Sequence, residues 1–462
     1  MSTKATVLRI LFAMIISLYG ISLNAQEKPG GRKFGELLGL GVKFSQRQPL
    51  TDLQMLTDLG VRWVRDDESW GRVESVPGHY KFSDDFKTRL AFYKANNIGI
   101  AYGLWYDNSR AYPNTPEDPH NSVNVEAYGK YAAACARMLK ESGVEFVIEV
   151  WNEPHNFVLA KLIGGDRRGQ PPCPWLDHYI KMLNAVVKEV KAFDPSIKVL
   201  SNEDLTIFHY RYLEVGLPPE LDAFAFHPYM RGSSSNPEVA QEGSGSPQEA
   251  PFVLADPDKS FRSMVRRLRE QAQAKMGKTP ELWITEFGCP VRENVGPDFK
   301  YSLGKATERE LTGILVRAFI GAEAAGVKTF MWFSSWDGPD GPMGLISLDG
   351  RKRQSYFAYK TLSNQLGEYS MVKQIAGDSH LTTGLQAYLF ANGKDLKVVA
   401  WTIGDTPTKL TPGGALSKAT MLDVLGEKLN PAKQGFDLGV SPVYISSIKG
   451  AKKIEKYFRN LE

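Results

Sequence analysis

Cysteine is scarce in this chain: there are three, Cys135, Cys173 and Cys289, in 462 residues. So few exclude a disulfide-stapled scaffold, and the odd number leaves at least one thiol outside any internal bridge. Histidine is scarce as well, with seven residues, and neither set has the spacing of a zinc site, so no metal is expected. No charge sign dominates either. The formal net charge is +4, which falls to +2 if the first 25 residues, with Lys4 and Arg9 as their only charges, are removed (4 − 2 = 2). That balance gives no basis for binding nucleic acid or an anionic membrane surface. Long apolar runs are also missing, apart from one at the N-terminus. What is present is the composition of a globular protein, 42% hydrophobic, 23% charged and 11% aromatic, with enough apolar side chains for a large core.

The N-terminal run, Ile10 to Leu23, follows Lys4 and Arg9 and ends near Ala25, where a small residue suits a signal peptidase. It is short for a membrane span. Residues 1–25 are therefore read as a signal peptide. The mature chain is expected to begin near Gln26, to be secreted or periplasmic, and to have no stable membrane insertion after processing.

From Leu37 to Gly367 short β-rich apolar runs alternate with longer amphipathic segments, the pattern of βα units around a parallel sheet. Strands are predicted at 37–44, 61–66, 98–105, 145–152, 198–202, 222–227, 281–286 and 328–334. Helices are predicted near 50–59, 84–96, 124–141, 175–193, 208–215, 258–276, 306–325 and 353–366. Eight strands, each followed by a helix, is the count for a closed (β/α)8 TIM barrel, here over residues 37–367. Gly60, Gly143 and Gly326 stand where a left-handed residue would end a helix before a strand. Pro49 and Thr51 stand where the first helix would begin. Residues 368–462 change to short alternating strands with Gly- and Pro-containing turns, read as a C-terminal β-sandwich that buttresses the barrel. Cys135 reads as a buried helical thiol, and Cys173 and Cys289 fall in loops at the same end of such a barrel, which leaves a bridge between them open.

In a barrel of this kind the reacting groups come from the C-terminal ends of the strands. Strand four ends in Glu149-Val150-Trp151-Asn152-Glu153-Pro154 and strand seven in Trp283-Ile284-Thr285-Glu286-Phe287-Gly288. Glycoside hydrolysis needs such a pair of carboxyl groups, about 5–5.5 Å apart if configuration is retained. Singly, each glutamate could be a salt-bridge partner; together at facing strand ends they read as acid/base and nucleophile. Glu149, two residues earlier on the inward parity, reads as a buried, hydrogen-bonded barrel residue.

Asn152-Glu153-Pro154 and Thr285-Glu286-Phe287-Gly288 resemble the acid/base and nucleophile signatures of the clan of retaining barrel glycosidases. Val61-Arg62-Trp63-Val64-Arg65, followed by Trp70, Val73-Glu74 and Gly78-His79-Tyr80, is most similar to family 39 glycoside hydrolases. The resemblance implies Glu153 as general acid/base and Glu286 as nucleophile of a double displacement. It implies Asn152 on the sugar 2-hydroxyl, Arg65 against the nucleophile, His227 and Tyr229 on the nucleophile or the sugar, and Trp332 with Trp336 as an aromatic floor. Trp105 and Trp175 read more readily as core. The charge of Glu286 is expected to raise the pKa of Glu153. No cofactor is implied, and the partner is an oligosaccharide or polysaccharide substrate. A transglycosylase would use the same residues, and a non-catalytic glycan-binding protein would keep the barrel as a scaffold. Loops at 107–123, 155–174, 230–257 and 289–305 are expected to wall the mouth; Arg167 with Arg168 hints at an acidic glycan, although a solvated loop pair is the preferred reading.

Overall fold

The computed structural model describes residues 31–461 except 157, 232–235, 243–249, 300, 378–383, 412 and 431–434. The segment read as a signal peptide, and the expected start near Gln26, lie outside the described residues. Eight parallel strands close into a barrel in sequence order. They are β1 (Leu38–Gly41), β2 (Trp63–Asp67), β3 (Gly99–Leu104), β4 (Phe146–Val150), β5 (Val199–Glu203), β6 (Ala223–Phe226), β7 (Glu281–Phe287) and β8 (Thr329–Phe333). Helices follow the strands and carry caps that the sequence supplies. Thr307 and Glu310 form a reciprocal capping box ahead of Glu308–Ala324. Asn124 caps Val125–Ser142, and Gly143, at φ 74°, ends that helix in the left-handed conformation a side chain would resist.

The barrel interior is built in layers, because successive strand residues alternate in and out. The lower layer is apolar and combines two tryptophans with small residues: Trp63 and Trp283, edge to face at 4.9 Å, with Ala101, Ala223 and Ala225. The next inward positions up β2, β4, β5 and β7 are polar: Arg65, Glu149, Asn202 and Thr285, the last three with no exposed surface. This polar layer supports the mouth.

The C-terminal β-domain has a six-stranded antiparallel sheet in the order β14-β13-β16-β11-β10-β9 and a two-stranded pair, β12 with β15. The strands are β9 (Ser370–Ala376), β10 (Gly384–Asn392), β11 (Asp395–Ile403), β12 (Thr408–Leu410), β13 (Thr420–Leu422), β14 (Lys428–Leu429), β15 (Phe436–Leu438) and β16 (Val443–Ser446). Period-two alternation sorts its residues into two faces. Tyr388, Phe390, Val399, Trp401 and Tyr444 join the core of the barrel. Ala387, Leu389, Val398, Ala400 and Ile445 form a second core with Leu410 and Leu438 of the two-stranded pair. A helix the sequence reading did not anticipate, Ala451–Arg459, adds Ile454 and Phe458 to that second core. The bridge left open between Cys173 and Cys289 is not formed; all three cysteines are buried free thiols.

The shared core makes the two units mechanically one. Trp401 is stacked on Tyr388 at 5.4 Å and donates to Glu238 of the barrel at 3.0 Å. Trp401→Ala is expected to cost about 3–5 kcal/mol and to lower the midpoint of one transition seen alike by calorimetry and near-ultraviolet dichroism. Loss of the β-domain signal in a separate, earlier transition, with the barrel unaffected, would contradict this coupling.

Candidate active site

β4 and β7 each depart from regular geometry where they reach the mouth, and both departures aim carboxylates inward. On β7 the register with β8 shifts between Ile284 and Phe287. This irregularity absorbs one residue, so that Thr285 and Glu286 both face the barrel axis while Phe287 packs outward at 5.3 Å from Phe330. Beyond β4 the backbone turns through left-handed conformations at Trp151 (φ 65°) and Glu153 (φ 43°). For residues with a Cβ this costs about 1–2 kcal/mol each. Trp151, buried against Tyr106 at 5.6 Å, and the Glu153 amide, which donates to Asn202 Oδ1 at 2.7 Å, hold the turn in place.

The side chains form one hydrogen-bonded circuit. Arg65 donates to Glu149 at 2.7 Å, to Asn152 Oδ1 at 2.8 Å and to Glu286 Oε1, and its guanidinium lies 4.5 Å from the centre of the Trp105 ring. Tyr229 donates to the other oxygen of Glu286 at 2.6 Å. Glu153 Oε1 accepts from His227 Nδ1 at 2.7 Å and Oε2 from Asn156 at 3.0 Å. The far nitrogen of His227 lies 3.0 Å from Thr285 Oγ1, which donates to Glu149 at 2.6 Å and so returns the circuit to Arg65. An oxygen of Glu153, an oxygen of Glu286 and a nitrogen of His227 all lie within 4.8 Å of one another. These three side chains have the donor types of a metal site. Here Arg65 and His227 already supply the positive charge that the carboxylates need, which disfavours a divalent cation.

Protonation follows from these contacts. Burial works against charge on Arg65, but Glu149 and Glu286 beside it more than offset this and hold it more firmly protonated than a free arginine. Burial also opposes charge on Glu153, yet the hydrogen bond from His227 and the imidazolium charge pull its carboxyl down to about 2. Against the same burial, Glu286 and Glu153 raise His227. The Glu153–His227 pair therefore holds one proton, on the imidazole side in the free site. This corrects the expectation that Glu286 would raise Glu153: the cation between them, 2.7 Å from one carboxylate and 3.7 Å from the other, outweighs the more distant anion.

A cleft of about 610 Å³ opens above this circuit, lined by Arg65, Asn152, Glu153, Tyr229 and Glu286. His227 lies beneath it, fully buried. Trp332 does not line the cleft. On β8 Met331 and Phe333 take the inward parity, so Trp332 faces the helix layer, 6.1 Å from Phe287, and Phe333 lines the cleft in its place. Trp336 is half-buried, packed on the barrel core and outside the lining. The aromatic surface of the cleft comes instead from Trp105, Tyr106, Tyr229, Tyr301 and Phe333. Trp175 is core, donating to Asp166 O at 2.8 Å.

A second buried cluster adjoins the site. His155 Nδ1 lies 2.6 Å from Glu203, and His155 Nε2 lies 3.7 Å from Asp204, which also accepts from Arg231 at 2.7 Å. The run Asn202-Glu203-Asp204 ends β5, and three polar residues at a strand end were a legible signal that the sequence reading passed over. Burial opposes the charge of His155, but Glu203 and Asp204 carry it up to about 9, and burial lifts Asp204 to about 7.

No protein-family model and no curated protein matches the sequence. Solved structures do. One is a family 39 glycoside hydrolase from Bacteroides cellulosilyticus WH2, 20% identical, with a TM-score of 0.67 over 92% of this chain and 81% of that one. Another is a family 39 β-xylosidase from Caulobacter crescentus, 15% identical, with a TM-score of 0.56 over 92% and 97%. A third is a family 30 endoxylanase from Clostridium papyrosolvens C71, 14% identical, with a TM-score of 0.52 over 89% and 96%. The chain shares its fold, barrel and β-domain together, with glycoside hydrolases of families 39 and 30.

The second cluster has a pH signature. A histidine raised from its ordinary value of about 6.5 to about 9 contributes stability that is complete below about 6.5 and lost as pH rises through about 9. An aspartate raised to about 7 loses stability in the same direction, from its ordinary value upward. The guanidinium midpoint of the protein should thus fall as pH rises from 6.5 to 9.5, and His155→Gln should flatten that fall. Equal slopes for the two proteins would show that the cluster does not titrate in this window.

Proposed function

We propose that the protein is an exported, retaining O-glycosidase that cleaves oligosaccharides or polysaccharides by double displacement. The observation that carries the reading is the approach of Glu153 and Glu286, carboxyl oxygen to carboxyl oxygen within 4.8 Å, in the floor of the cleft. A retaining pair stands about 5–5.5 Å apart, whereas an inverting pair needs about 6.5–9.5 Å to admit a water. The leader-like N-terminal run supports export.

The two carboxylates have different surroundings that suit different roles. Glu286 is held by a permanent cation and a phenol, which keep it oriented for attack on the anomeric carbon. Glu153 shares a proton with His227. In the first step that proton passes through Glu153 to the leaving oxygen as the C–O bond breaks and the Glu286–C1 bond forms. In the second step Glu153 takes a proton from water, which attacks C1 and releases Glu286. Asn152, fixed between Arg65 and Tyr106, stands where a sugar 2-hydroxyl would lie beside both carboxylates. Two of the similar structures are named as a β-xylosidase and an endoxylanase, so β-xylosides belong in the first panel of aryl glycosides.

Variants separate the two roles. Glu286→Ala should be nearly inert on every leaving group. Glu153→Ala should lose about 100-fold to 10,000-fold on substrates that need protonation and much less on a dinitrophenyl glycoside. Azide should accelerate the turnover of Glu153→Ala on that activated substrate and give a glycosyl azide of retained configuration. Azide rescue of Glu286→Ala to a retained product, or none of Glu153→Ala, would reverse or remove the assignment.

A further inference from the structure

Glu153 and Glu286 fix the position of the scissile bond, with the leaving group on the side of the proton donor. The contacts leading away from Glu153 on that side run through Asn156, 3.0 Å from its carboxylate, to Arg167, which donates to Asn156 Oδ1 at 3.1 Å, and to Asp204 with Arg231. All four residues line the cleft.

The carboxylates on this side are already matched. Glu153 has His227, Glu203 has His155, and Asp204 has Arg231. Arg167 is exposed and has no carboxylate partner among the described residues, whereas its neighbour Arg168 is paired with Asp166 at 3.1 Å. The two arginines that read as one solvated pair in the sequence are therefore different: Arg168 is the solvated one and Arg167 faces the cleft. Arg231 has a buried Nε with no partner among the described residues, and its side chain remains 38% exposed.

We propose that the subsite on the leaving-group side of Glu153 takes a sugar unit bearing an anionic group, a carboxylate or a sulfate ester, bound by Arg167 with Arg231 beside it. The inference rests on the glycosidase reading. A planar guanidinium presents paired N–H donors to either oxyanion, and Arg167 adds a positive charge on this side that no carboxylate among the described residues pairs with. A neutral sugar would leave that charge unanswered.

The test begins with the sugar that an aryl-glycoside panel shows to be cleaved; if none is cleaved, the glycosidase reading itself fails. Given a cleaved sugar, three disaccharides are compared in which it is linked identically to glucose, to glucuronic acid and to glucose 6-sulfate. The expected result is a kcat/KM for one or both anionic substrates about tenfold or more above that for the neutral one, shrinking as salt is added. Arg167→Ala should lower kcat/KM on the preferred anionic substrate about tenfold more than on the neutral one, through KM, and Arg167→Lys should restore part of the difference. Preference for the uronate alone or the sulfate alone identifies the anion. Equal kcat/KM for all three substrates, or an Arg167→Ala loss equal on charged and neutral substrates, would overturn the proposal while leaving the glycosidase reading intact.

Discussion

One guanidinium organises the mouth of the barrel. Arg65, 7% exposed, answers two carboxylates and an amide that arrive from β4 and β7 and gives each a buried charged donor. A buried ion pair is a weak source of stability, because desolvation consumes much of the attraction. Its value here is in placement. By bonding both β4 and β7 from β2, Arg65 fixes the distance between the two strand ends that carry Glu153 and Glu286.

The apolar layer beneath makes this arrangement stiff. Trp63 fits inside the barrel because Gly99 makes room beside it: a Cβ there would lie 2.6 Å from the Trp63 ring. On that floor stands a closed polar circuit in which His227 and Thr285 connect Glu153 back to Glu149. The circuit gives two carboxylates so close together different partners. One is held by a cation that cannot lose its proton, the other by a histidine that can. The β-domain completes the support from outside, since its Trp401 and Tyr388 face belongs to the same core as the barrel helices.

Much of this was legible in the sequence because the barrel repeats a simple pattern. Each predicted strand overlaps an observed one, since apolar runs between amphipathic segments admit few other readings. The two glutamate motifs were legible because they sit at strand ends. Trp332 was misread because strand parity, which decides whether a terminal aromatic faces the cleft or the helices, depends on the frame in which β8 pairs with β1. The inward turn of both Thr285 and Glu286 depends on a bulge that no residue type announces. The His155–Glu203–Asp204 cluster joins residues 48 and 49 positions apart, a proximity that only the closed barrel creates. The final helix, mostly charged with two buried apolar residues, gives a weak signal until the sheet it covers is known.

In the proposed double displacement Glu286 forms a covalent bond to the sugar. This step is tested most directly by incubating the protein with a 2-deoxy-2-fluoro glycosyl fluoride of the sugar it cleaves, then measuring intact mass and mapping the labelled peptide. A single adduct of one fluoroglycosyl unit is expected on Glu286 in the segment Thr285-Glu286-Phe287-Gly288. A fully active protein that remains unlabelled, or an adduct on Glu153 or any other residue, would contradict it.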